Sequence, residues 1–448
     1  MQLRKKSVPV LAAGVTLALA LSGCSSNNGN NGNNAAGGNS ATPSASASSS
    51  ASASTAAAGG NPVEITFWNS FGGGEGDFVD QIIKGFNDSQ KEVAVKQLRL
   101  ESNEYYAKLG TALSSGKGPD VAIAHVDRLS PFVKAKQVVS VDDLASKVGF
   151  DLSQITQSNL DSVSYDGKPY AVPLDTHFHM FYYNKDLLQQ AGLLNEDGTP
   201  KLGDMTPEGF EQTLAQIQAK VPDVQAIAVN TPYFQEPFLN LYYEAGGEFL
   251  NADMTKAALN NDKALSVLNF YMDLYNKKYA DLNDKNPWDS FSNGKAAFWF
   301  GGVWEAGGLL GDESKHIGAM PLPPIFGSST HWASSHTLVI PSYVSAEKQE
   351  AAAKFMKYFS EVGGSTWGKA GHVPANKNVT SSSDYLALPY RSEFIEAQKT
   401  VKFAPQTDKY NTIVTILAES LQNIIFGSTS PEDGLKDIEK QINEVLAD

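Results

Sequence analysis

The sequence predicts an α/β protein of two lobes, each a mainly parallel sheet flanked by helices, with a cleft at the hinge between them. Three observations lead there. Residues 61–448 exceed the roughly 250–300 residues at which a single core stops growing. Val63–Ala124 alternates strand and helix patterns in the manner of a parallel sheet. Near mid-chain, Tyr165–Asp186 reads YDGKPYAVPLDTHFHMFYYNKD. Its aromatic and β-branched residues favour strand, and Pro173 breaks any central ladder. Asp175-Thr176-His177 sets a polar window into an apolar run. This segment reads as two short strands joined by a crossing, with the polar window facing the cleft.

In chain order, Val63–Trp68 alternates as a strand and ends in the loop Phe71–Gly76. Phe78, Ile82, Ile83 and Phe86 fall on one side of a helix. Val93–Leu100 is a second strand, Tyr105–Leu113 a second helix, and Val121–Ala124 a buried strand. In such sheets ligands sit beyond the carboxyl ends of the strands. Trp68-Asn69, Glu101 and His125–Arg128 stand at three such ends. No Lys-Ser/Thr pair follows the loop Gly72–Gly76, so it reads as a close backbone approach to a ligand rather than a phosphate cradle. Beyond the hinge, Leu187–Leu194 is helical. Thr206-Pro207 caps the helix Phe210–Ala219 with Pro at its first position. Val224–Val229 is a strand and Lys263–Lys277 an amphipathic helix. Phe291–Trp304 holds a tight loop, an apolar strand and a Gly-Gly turn. Glu347–Phe359, Asn411–Phe426 and Pro431–Leu446 are further helices.

The first 60 residues belong to neither lobe. Arg4, Lys5 and Lys6 precede the apolar run Val8–Leu21, and Leu21-Ser22-Gly23-Cys24 follows. A basic start, a short apolar run and a small-residue exit describe a secretory signal over residues 1–24. Residues 25–60 are Ser, Asn, Gly, Ala and Thr with one Pro and no charge. Such a segment cannot fold, and it reads as a disordered tether reaching about 30–35 Å. Cys24 is the only cysteine, so it has no second thiol in the chain to pair with in a disulfide. The chain carries −14, and removal of the three early positive charges leaves −17. That balance argues against nucleic acid and against an anionic membrane face.

Six tryptophans stand out. An indole face accepts the C–H face of a sugar ring, while carboxylates and Arg take hydroxyls. Trp68, Trp288, Trp304 and Trp332 are candidate ligand contacts; Trp299 and Trp367 read as core. Two other classes stay open. His177-x-His179 and the tyrosine pairs suggest a metal-ion binder, although no third or fourth ligand stands at recognisable spacing. The many carboxylates suggest a glycoside-processing enzyme, although no motif supplies a nucleophile with a placed base.

Several motifs in order carry a resemblance: Gly118-Pro119-Asp120-Val121, then Tyr170–Pro173 with Phe181–Asp186, then Gly294–Phe298 through Gly302-Val303-Trp304, behind Leu-Ser-Gly-Cys. Over essentially all of 61–448 the chain resembles the extracellular solute-binding proteins of family 1, sugar-binding lipoproteins of ATP-binding-cassette importers. The Leu21–Cys24 tetrad resembles their lipobox, in which Cys24 is acylated. The resemblance implies a type II periplasmic-binding-protein-like fold with lobe one at 61–173 plus 317–363 and lobe two at 174–316 plus 364–448. The return crossings would lie near His316–Pro324 and Ser360–Trp367. It implies a binding protein, not an enzyme, with no cofactor. It captures a mono- or oligosaccharide by hinge closure and delivers it to membrane permease subunits, as a monomer lipid-anchored on the outer face of a Gram-positive-type membrane.

The maltodextrin binders of the family guide the site. Asp127-Arg128 resembles their hydroxyl-binding pair. His177 stands at their acidic contact beside Asp175, and Trp304 matches their stacking aromatic. Gln235 and Glu236 fall in their Glu-Pro-Tyr segment. The expected contacts are Trp68, Asn69, Glu101, Asp127, Arg128, Asp175, His177, Gln235, Glu236, Trp288, Trp304 and Trp332, with no metal ligand and no catalytic residue. Phe298 in place of Met, Ala333-Ser334-Ser335 in place of Gly-Gly, and no aromatic near Val414 depart from the maltodextrin pattern.

Overall fold

A computed structural model describes residues 61–447. The expected signal segment, Cys24 and tether lie outside the described residues. Among the described residues fourteen strands are formed: β1 (Val63–Asn69), β2 (Val93–Arg99), β3 (Val121–His125), β4 (Ser164–Tyr165), β5 (Lys168–Pro169), β6 (Val172–Pro173), β7 (Asp175–Asn184), β8 (Gln225–Ala228), β9 (Ala296–Gly302), β10 (Ile317–Met320), β11 (His331–Ser334), β12 (His336–Val339), β13 (Val373–Pro374) and β14 (Val401–Lys402). They make two sheets, hence two lobes, plus the small β4–β5 hairpin. Helices flank both sheets. Among the described residues no helix is long and apolar enough to cross a membrane.

The first sheet runs β2-β1-β3-β12-β6. β1 alternates because Ile65 and Phe67 enter the core while Glu64 stays exposed. β1 pairs in parallel with β2 and β3, so Asn69, Arg99 and His125 end at the same side. β12 then pairs antiparallel with β3 and β6. Val79, Ile82, Ile83 and Phe86 of the helix Gly73–Ser89 pack beneath. Trp367 joins this core fully buried.

The second sheet is built around β7, whose ten residues are all buried. Its side chains alternate between two cores. Phe178, Met180 and Tyr182 enter one, with Trp299; Phe181 and Tyr183 enter the other, with Phe298 and Phe300. A strand covered on both faces reads as a continuous apolar run, which is why it stood out in the sequence. β7 pairs antiparallel with β9, β10, β11 and β13. Parallel pairing is confined to β8–β9 and β11–β14. The second lobe is therefore mainly antiparallel, not mainly parallel as expected. Thr206 caps its helix Pro207–Lys220 through Gly209 N–H at 3.0 Å, with Pro207 at the first position.

The chain crosses between sheets three times. The first crossing is at Leu174, between β6 and β7. The second is at Ser335: Ser334 pairs with His177 in the second sheet, and His336 pairs with His125 in the first. The third lies before β13, which joins β7. These positions correct two expected boundaries. Residues 317–334, placed in lobe one, carry β10 and β11 of the second sheet. Residues 364–370, placed in lobe two, supply Trp367 and Ala370 to the first core. The return crossing expected near His316–Pro324 from the resemblance is instead β10 and a loop within the second lobe.

Candidate functional site

The crossings converge on a cavity of about 330 Å³, near the lower end of the ~300–1,000 Å³ usual for ligand sites. Four of the chain's seven histidines line it: His125, His177, His336 and His372. Carboxylates Glu75, Asp127 and Glu236 stand with them, and Arg128 is the one Lys/Arg side chain among the lining residues. Tyr106, Trp304 and Trp332 supply aromatic walls, and Ser334 completes the lining.

Asp175 lies under this floor, fully buried. Its Oδ1 accepts from His177 Nδ1 and from the His336 backbone N–H, both at 3.1 Å. Its Oδ2 accepts from His336 Nδ1 at 2.8 Å and from Trp367 Nε1 at 2.6 Å. Burial alone would raise its carboxyl, but the charges and hydrogen bonds of the surrounding histidines hold it well below the usual carboxylate range. Asp175 is thus an ionised hub that orients the rings above it.

The rest of the floor is similarly tied. His125 N–H donates to Tyr106 Oη at 2.8 Å, and the Tyr106 hydroxyl returns a hydrogen bond to His125 Nδ1. Burial, reinforced by His336 and His177, pushes the His125 imidazole well below its ordinary value, so it is neutral. Burial likewise lowers His177. Arg128 lies over the Tyr106 ring at 5.2 Å, with Asp127 at 3.9 Å. Burial opposes ionisation of Glu75, but His372, whose Nε2 sits 2.7 Å from Glu75 Oε1, outweighs it and lowers the carboxyl.

The aromatic walls depend on a glycine and a histidine. A Cβ on Gly302 would stand 2.1 Å from the Trp304 ring, so only glycine lets that indole fold back over the strand end. His179 is buried with its ring 5.5 Å from Trp304 and 5.6 Å from Trp332. Asn240 donates to its Nδ1 at 2.7 Å, which leaves Nε2–H directed at Glu236 Oε2, 3.4 Å away. His179 therefore positions two walls and a carboxylate from behind.

Six of the twelve expected contacts line the cavity: Asp127, Arg128, His177, Glu236, Trp304 and Trp332. Asp175 supports it from below. The other five stand outside it. Trp68 is half-buried against the first core. Asn69 is fully buried; it donates to Gln97 at 3.1 Å and accepts from Phe71 N–H at 3.2 Å. Glu101 is exposed at the start of the helix Ser102–Ser115. Gln235 opens the helix Gln235–Glu244 without reaching the lining. Trp288 lines a second cavity of about 450 Å³, of which Glu75 and Trp304 are also walls. Sequence reasoning missed Glu75, Tyr106, His125, Ser334, His336 and His372. His125 ends a strand whose carboxyl end had been singled out, and Glu75 sits in the glycine-rich stretch Gly72–Gly76, which was expected as a loop but forms the first turn of the helix Gly73–Ser89. His336 and His372 carry no local signal, because only the crossings bring them in.

Two sheets crossed three times around a polar, aromatic-walled cavity define a two-lobed binding protein. The chain belongs to the bacterial extracellular solute-binding protein family, whose pattern matches residues 81–390. It is 24% identical over 399 residues to the diacetylchitobiose-binding protein DasA of Streptomyces coelicolor, covering 86% of this chain and 90% of that one. It is 24% identical over 386 residues to the maltodextrin-binding protein MdxE of Bacillus subtilis, covering 83% and 86%. Its fold matches an ABC substrate-binding protein from Listeria monocytogenes in complex with cycloalternan, with TM-score 0.76 and 21% identity over 86% of this chain and 100% of that one. It also matches UgpB from Mycobacterium tuberculosis in complex with glycerophosphocholine, with TM-score 0.74 and 23% identity over 87% and 99%.

Proposed function

We propose that this protein captures a sugar between its lobes and delivers it to the permease of an ATP-binding-cassette importer, from a lipid anchor at Cys24. The observation that carries this reading is the pairing of two indoles, Trp304 and Trp332, with Asp127, Arg128, Glu236 and His177 around one cavity. Indole faces take the apolar faces of a pyranose, and the charged groups take its hydroxyls. Diacetylchitobiose, arabinooligosaccharides and maltodextrin appear in the names of relatives. An anionic ligand fits less well, since three carboxylates line the cavity against a single Arg. The inner cavity suits one or two sugar rings, and the adjoining space beside Trp288 gives an oligosaccharide room to extend. Bound sugar bridging the lobes favours a closed form by its extra contacts with that form. A thermal-shift and calorimetric panel of mono- and oligosaccharides tests the reading. A ligand at 100 times its Kd raises stability by about 2.7 kcal/mol. No response across neutral, amino and acidic sugars rules the reading out, and sugar returned as cleaved product favours an enzyme instead.

A further inference from the structure

Three histidines surround Asp175, one from each chain crossing. His177 follows the first crossing by three residues. His336 opens the strand after the second, and His372 stands in the third, just before β13. All four side chains are buried. One potential ligand atom from each lies within 4.8 Å of the others.

The hydrogen bonds fix the tautomers. An ionised carboxylate only accepts, so His177 Nδ1 and His336 Nδ1 donate to Asp175. A metal ion held at Asp175 takes the place of these two protons, which leave to solvent, and each ring then ligates through the Nδ1 that faces Asp175. His372 differs. Its Nε2 donates to Glu75. Its Nδ1 is buried and without a hydrogen-bond partner, 3.7 Å from Asp175 Oδ2. A buried nitrogen left unpaired is costly. A cation between it and the carboxylate gives both atoms a partner.

We propose that Asp175, His177, His336 and His372 bind a divalent transition-metal ion, with zinc the best match. Three imidazoles and a carboxylate form a donor set that zinc accepts. Magnesium and calcium demand oxygen ligands. The outer shell is already built: Glu75 orients His372, and Trp367 Nε1 donates to Asp175. Zinc bonds of about 2.0–2.1 Å place tetrahedral ligand atoms about 3.4 Å apart. Loading therefore draws the four side chains together, and with them the three crossings. The ligand set differs from the His177-x-His179 pair suggested by spacing, because His179 is committed to Asn240 and Glu236. Metal loading is measured without sugar, so it stands or falls apart from the sugar reading.

The test uses the full chain after chelator treatment. Zinc is titrated by calorimetry and cobalt by visible absorption. One ion per chain, a Kd below about 1 µM and the intense absorption of a tetrahedral cobalt site are expected. His372→Ala should weaken zinc at least tenfold and abolish the cobalt band, and Glu75→Gln should weaken zinc by about tenfold. Where His372→Ala fails to fold by circular dichroism, His336→Gln gives the same readout. His316 pairs with Asp186 at 3.0 Å on the surface, and His316→Ala should change nothing. No stoichiometric uptake overturns the proposal. So does uptake that survives in a folded His372→Ala or His336→Gln variant, or that disappears with His316.

Discussion

The imidazole of His372 lies flat on the indole of Trp367, with ring centroids 4.3 Å apart and planes 6° from parallel. Both residues reach Asp175: Trp367 by a 2.6 Å hydrogen bond, His372 by a 3.7 Å approach. One stack thus joins the first core, the third crossing and the ionised floor of the cavity. A tryptophan expected only to fill core also orients the site.

Asp175 should be costly to neutralise. Asp175→Ala leaves the donors of His177, His336 and Trp367 without their acceptor. Breaking a buried charged network of this kind costs about 3–5 kcal/mol. Urea unfolding followed by circular dichroism measures it. A loss below about 1 kcal/mol would show that the hub is not structural.

Trp304→Ala should separate binding from folding. The indole is half-buried at the cavity wall, so its loss should weaken the sugar identified by the panel by about 10- to 100-fold. Thermal stability without ligand should fall only modestly. Unchanged affinity would remove Trp304 from the site.

Glu305 gives a pH signature. Burial, assisted by the charge of Glu75, pushes its carboxyl up to about 7. The folded state therefore holds this proton more tightly than the unfolded chain, whose value is near 4.5. The stabilising contribution is full below pH 4.5 and is lost as pH rises through about 7. Over that window the wild type should lose on the order of 2 kcal/mol relative to Glu305→Gln. Paired denaturation curves at pH 4.5 and pH 8 test this, and parallel pH profiles for the two proteins would refute it.

Gly371 should tolerate no side chain. Its φ is +125°, and a Cβ there would stand 2.1 Å from the Val303 carbonyl oxygen. Gly371→Ala should cost about 1–3 kcal/mol from backbone strain alone. Because Val303 precedes Trp304 and Gly371 precedes His372, ligand affinity should fall as well. Chemical denaturation and calorimetry on the same variant measure both effects, and an affinity equal to wild type would uncouple the two turns.

The fold was legible where its signals are local. The alternation of Val63–Trp68, the cap at Thr206-Pro207 and the change of sheet beside Pro173 each follow from neighbouring residues. The crossing at Ser335 was not legible. It is made by two serines with no glycine or proline, whereas the prolines at 321–324 advertise a break that stays within one lobe. The site divided the same way. Asp127-Arg128 and Gly302–Trp304 stand in motifs, and His177 sits in the polar window. His336 and His372 meet Asp175 across 161 and 197 residues, a relation no spacing rule expresses. Asn69 misled because a strand's carboxyl end can be filled inward, as its bonds to Gln97 and Phe71 show.

The place of β12 has a consequence for how the chain acquires its structure. That strand sits between β3 and β6, yet it is made of residues 336–339, well after both neighbours. Until it arrives, β3 and β6 present unpaired edges and the first sheet stays open. The first lobe therefore cannot finish folding before residues 336–339 are made. Closing such long-range pairs is slow. A nascent chain stopped short of residue 336 should remain incompletely folded and protease-sensitive, a state suited to passage through a narrow export channel.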